Sequence, residues 1–66
     1  MNKDRKEYIV YRINVIRDLI TNLRNDLDMK SIAEYNVDED LWSADHRLCD
    51  SIKYIETTIS ENNEEK

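Results

Sequence analysis

The stretch Tyr8-Ile9-Val10-Tyr11-Arg12-Ile13-Asn14-Val15-Ile16-Arg17-Asp18-Leu19-Ile20-Thr21-Asn22-Leu23-Arg24-Asn25-Asp26-Leu27 decides the fold. Its aliphatic residues Ile9, Ile13, Ile16, Ile20, Leu23 and Leu27 step by 4, 3, 4, 3 and 4. At 3.6 residues per turn those positions share one helix face, so the pattern is the seam of a packed helix pair. Tyr8, Tyr11, Val15 and Leu19 form a second, shorter stripe beside it. The two stripes together are wider than one partner helix requires. They suit either a broad core face or a second interface in an oligomer.

The whole chain supports a helical reading. It contains no Gly and no Pro, so the Gly, Asn-Gly and Asp-Gly turns of β-hairpins are missing. Helix A is expected over about residues 3–28, with its stop at Asn25 or in the Asp28–Lys30 region. Residues 29–36 form the break. There Ser31-Ile32-Ala33-Glu34 fits a capping box, in which Ser31 and Glu34 satisfy each other's free backbone donors. It would open a single short turn. Asn36-Val37-Asp38-Glu39 repeats the pattern, and Asp38, Glu39 and Asp40 place negative charge where a helix start favours it. Helix B is therefore expected from about Val37 to Ser60, with the seam Leu41, Leu48, Ile52, Ile55 and Ile59. Asp45 occupies the heptad position between Leu41 and Leu48. Either Ala44 turns inward in its place, or Asp45 sits in the seam and needs a cationic partner, with Arg17 and Arg24 as the candidates. The expected architecture is an all-α antiparallel helical hairpin over residues 1–60, oligomeric, followed by a polar tail over 61–66.

Length and charge narrow the function. A chain of 66 residues buries too little surface for a generous core of its own, and one cysteine allows no internal disulfide. Self-association is the expected source of further burial. Tyr8–Ile20 is interrupted by Arg12, Arg17 and Asp18 and is too short to span a bilayer, and nothing resembles an export signal. A free thiol then points to the cytoplasm. The net charge of −5 is uneven: residues 1–24 carry six cations against three anions, a surplus of three, which leaves −8 for residues 25–66. Such a balance disfavours tracking of duplex DNA. It leaves room for a small anion held by a few arginines, or for a basic protein partner.

No residue set points to catalysis. His46 and Cys49 stand three apart on helix B, but that spacing alone does not activate a thiol, and no Gly-rich turn supplies an oxyanion hole. Asp38, Glu39 and Asp40 suit a helix start, and no metal-ligand spacing occurs. The expectation is a binding protein without cofactor or metal. Trp42 suits core or interface. Tyr8 and Tyr11 lie beside Arg12, where a base would stack and a phosphate would find a guanidinium.

Two resemblances sharpen this. The segment Ala44-Asp45-His46-Arg47-Leu48-Cys49-Asp50-Ser51-Ile52-Lys53-Tyr54-Ile55-Glu56-Thr57-Thr58-Ile59 resembles the last helix of the phage anti-CBASS cyclic-nucleotide sponges, through Arg47-Leu48, Ser51-Ile52, Tyr54-Ile55 and Ile59. The resemblance covers about sixteen residues and implies an oligomer of helical hairpins that sequesters cyclic di- or trinucleotides in the host cytoplasm without cleaving them. It implies base stacking by Tyr8 or Tyr11 and phosphate contact by Arg24 or Lys30. The family's arginine before the last helix has no counterpart, since Glu39 or Asp40 stands there. The expected ligand set is Tyr8, Tyr11, Arg12, Arg24, Lys30 and the pair His46-Arg47. Separately, Ser43-Ala44-Asp45-His46-Arg47-Leu48 looks like the Ala-Asp-His-Arg segment of Hha-type modulators, with Tyr8 at a matching distance. That resemblance implies an adaptor that binds a nucleoid protein of the host.

Overall fold

A computed structural model describes residues 1–57. The chain forms two helices, α1 over Lys3–Asp26 and α2 over Ile32–Thr57, packed against each other as a hairpin. The all-α hairpin read from the sequence is the observed fold. The tail over 61–66, and the end of helix B with Ile59, lie outside the described residues.

Both ends of the turn differ from the sequence reading. Helix α1 starts on an Asn2 cap, whose Oδ1 accepts from the Arg5 amide at 2.8 Å. It stops two residues earlier than expected. Leu27 donates to the Arg24 carbonyl at 3.2 Å, and Met29 then takes φ 58°. That left-handed conformation usually falls to glycine; with no glycine in the chain, an unbranched methionine fills it.

Helix α2 starts at Ile32, five residues before the expected Val37. Ser31 opens the long helix itself and not a separate short turn: its Oγ accepts from the Glu34 amide at 3.2 Å. The Glu34 carboxylate reaches back past Ser31 to the amides of Lys30, at 3.0 Å, and Asp28, at 3.4 Å. One carboxylate thus satisfies two loop donors, which holds the turn and the helix start together. Asn36 to Asp40, read as a second start, lie inside the helix.

The seam is rotated from the predicted one. On α1 and its cap residue Leu27 the half-buried positions are Lys6, Ile9, Val10, Ile13, Arg17, Ile20, Arg24 and Leu27 itself. Ile16 and Leu23, expected in the seam, are 44% and 47% exposed. Arg17 and Arg24 take their places because α2 offers carboxylates at the matching levels. Arg17 donates from Nε to Asp45 Oδ1 at 2.9 Å, and Arg24 donates from Nε to Asp38 Oδ1 at 2.8 Å. The two arginines are one heptad apart in α1, and the two aspartates one heptad apart in α2. The register is therefore common to both pairs. Slipping either helix by a heptad would break one pair and strand its charges in the seam.

Both alternatives for residues 44 and 45 hold in part. Ala44 and Asp45 are each half-buried, and Asp45 has the seam position with Arg17 as its partner. Among the described residues none is fully buried. Two helices cover each other on one side only, so a hairpin of this length stays open to solvent on the other.

Candidate functional site

An exposed flank of α1 carries most of what is chemically distinctive. Arg5, Tyr8, Arg12, Val15, Leu19, Leu23 and Asp26 recur every three or four residues, to one side of the seam, and all are exposed. Leu19 reaches 63% exposure at the middle of this face. Leaving Val15, Leu19 and Leu23 in water is costly, because apolar area is stabilised by about 25 cal/mol per Å² when it is covered.

At its N-terminal end the stripe holds a compact cluster. The i, i+4 spacing brings Arg12 back onto Tyr8, where its Nη1 donates to the Tyr8 hydroxyl at 2.7 Å. The Arg12 guanidinium carbon lies 5.7 Å from the Tyr8 ring centroid, and that of Arg5 lies 5.8 Å from it. One exposed ring thus sits between two permanent cations, an arrangement suited to a group that has both a π face and negative charge. Arg5 was not among the predicted site residues. Its spacing of three from Tyr8 is the signal that would have found it.

Tyr11 diverges from Tyr8. It lines an open groove of about 530 Å³ with Lys3, Lys6, Glu7, Val10, Ile55 and Glu56, where the start of α1 meets the end of the described part of α2. The two tyrosines therefore serve different surfaces.

The remaining predicted residues do not join either one. Arg24 is held in the seam, donating to both oxygens of Asp38 at 2.8 and 3.3 Å. Each partner steadies the other's charge: the shared hydrogen bond raises the Arg24 pKa and lowers that of Asp38. Lys30 lies in the turn at the opposite end from Tyr8, roughly 30 Å away by helix rise. His46 packs edge-on to Trp42 with ring centroids 4.1 Å apart. Arg47 is exposed on α2 beside it. Within one hairpin the predicted ligand residues are thus spread along its length, and Tyr8 and Arg12 are joined by a side-chain hydrogen bond.

Trp42 is 48% exposed, so its ring is shared between His46 and solvent rather than enclosed in a core. Cys49 is a free, half-buried thiol. Among the described residues no three His, Cys, Asp or Glu side chains gather in a way that could hold a metal ion. Also among them, no helix is long and apolar enough to cross a membrane. The chain matches no protein-family model, no curated protein and no solved structure.

Proposed function

We propose that this chain is a non-catalytic interaction module that acts by docking the outward face of α1 against another helical protein surface. The observation that carries this reading is the exposed stripe Tyr8, Val15, Leu19 and Leu23 on a hairpin with no fully buried described residue. The stripe has helical spacing, so a second helix laid along it would be met at every turn. Basic and acidic residues flank it, which selects among partners by charge. In the cell such a chain works as a small adaptor or inhibitor.

A photo-crosslinking amino acid at position 19, introduced into the chain in its native cell, tests the proposal. It should give a discrete adduct, whereas the same group at Glu39, exposed on α2, should give none. Absence of any adduct from position 19, with the chain present and helical, would remove the reading.

A second reading is favoured by the Tyr8 cluster. Arg5 and Arg12 around one exposed ring suit a nucleotide-type anion, and the sponge-like segment of α2 gives that anion a class: a cyclic di- or trinucleotide, held without cleavage. An assembly that brought further clusters together would complete a pocket that one hairpin lacks. Calorimetry with cyclic di- and trinucleotides on the wild type and on Tyr8→Ala is decisive. Binding weaker than about 100 μM, roughly −5.5 kcal/mol, would exclude this reading and leave the protein partner.

A further inference from the structure

The outward stripe of α1 is symmetric about its own middle. Val15 and Ile16 are the central pair. Arg12 and Leu19 lie equally far on either side, then Tyr8 and Leu23, then Arg5 and Asp26. All eight are exposed, and none of them takes part in the two seam ion pairs. If a second α1 lies antiparallel along the first, with a two-fold axis between Val15 and Ile16, every position meets its mirror position. Val15 meets Ile16, Tyr8 meets Leu23, and the Arg12 stem covers Leu19. At each end Arg5 meets Asp26 of the other copy.

The end charges are informative because they do not suit α1 alone. Its first four residues, Lys3, Asp4, Arg5 and Lys6, have three cations against one anion, where the helix dipole favours negative charge. In its last turn Arg24 is neutralised by Asp38, leaving Asp26 where the dipole favours positive charge. Within one helix these surpluses are roughly 30 Å apart and cannot meet. An antiparallel neighbour places each against its opposite.

We infer that the partner of the α1 face is a second copy of this chain, docked antiparallel through α1 about a two-fold axis between Val15 and Ile16, with Arg5 of each copy paired to Asp26 of the other. This rests on the proposal that the α1 face is the docking surface, and it names what covers it. A closed two-fold contact uses the same patch on both partners, as a self-mirroring stripe requires.

Sedimentation equilibrium of the full chain tests it. The wild type should sediment at twice the 8.0 kDa chain mass. Leu19→Glu should sediment at the chain mass. Arg5→Glu and Asp26→Arg should each weaken association about tenfold, since symmetry turns two attractive pairs into two repulsive ones. The double variant Arg5→Glu/Asp26→Arg should recover it. Each charge substitution favours its own helix end, so weakening cannot be assigned to lost helix, and circular dichroism verifies this. A larger assembly is judged by the same charge pattern. A wild type at the chain mass at about 100 μM, or a double variant no better than the singles, overturns the inference. Where position 19 then crosslinks to a different protein, the docking-surface proposal stands without the self-pairing; where it crosslinks to nothing, both fall.

Discussion

Arg17 and Asp45, 28 residues apart in the chain, meet at two points: Nε to Oδ1 at 2.9 Å and Nη2 to Oδ2 at 3.5 Å. The pair spans the two helices at the middle of the seam, where both side chains are about two-thirds withdrawn from solvent. Asp45→Leu removes one member and leaves Arg17 in an apolar seam without its carboxylate. We expect a lower melting temperature for Asp45→Leu than for wild type. The double variant Arg17→Leu/Asp45→Leu should recover the loss or exceed wild type, because two well-packed aliphatic residues need no desolvated charge. Thermal unfolding followed by circular dichroism reads both. A single variant as stable as wild type would show that the pair contributes nothing.

Acid should loosen the hairpin through the same pairs. The Arg17 hydrogen bond lowers the Asp45 pKa from its ordinary 3.8, and the Arg24 hydrogen bond does the same for Asp38. A carboxyl with a lower pKa folded than unfolded binds fewer protons in the folded state. Its contribution is full above the unfolded pKa and disappears as pH falls through the folded one. The melting temperature should therefore be insensitive to these groups from pH 5 to 8, and their contribution should be lost below about pH 4. The double variant Asp38→Asn/Asp45→Asn should be less stable at pH 7, and its curve should run flatter in acid.

Met29 carries the left-handed turn at φ 58°. Met29→Gly should stabilise the hairpin by about 0.5–1 kcal/mol, as the Cβ contact is relieved and only a half-buried side chain is lost. Met29→Ile should destabilise it by about 1–2 kcal/mol, since a branched Cβ tolerates that conformation poorly. Urea titration measures both. Equal stability of the two variants would contradict the assigned backbone.

Ser31 caps the helix that the sequence placed later. Ser31→Ala should cost about 1 kcal/mol by leaving the Glu34 amide without its side-chain acceptor. An equivalent change at Asn36, which lies inside α2, should cost little or nothing. Were Asn36→Ala the more damaging of the two, the helix start would lie where the sequence pattern first suggested.

Much of the fold was legible because local rules sufficed. The lack of Gly and Pro, the 4–3 spacing of aliphatic residues and the Ser31 capping box each act within one or two turns of backbone. Together they specify two helices and a tight reversal. Of the site, Tyr8 and Arg12 were legible for the same reason: their contact is set by helical spacing alone.

What the sequence alone determined, then, is that this chain makes two amphipathic helices with more apolar face than one contact can cover. Only the tertiary structure decided which face each helix turns inward. Ile16 and Leu23 are the better seam residues by hydrophobicity, and local pattern selects them. Across the hairpin, however, Asp38 and Asp45 stand at the levels of Arg24 and Arg17, and charges brought into a half-buried seam need their opposites. Matching those pairs rotates α1 by a fraction of a turn and moves Ile16 and Leu23 to the outside. That rotation exposes the stripe on which the proposed function rests. It depends on residues 14 and 28 positions apart, a separation that no helical period can register.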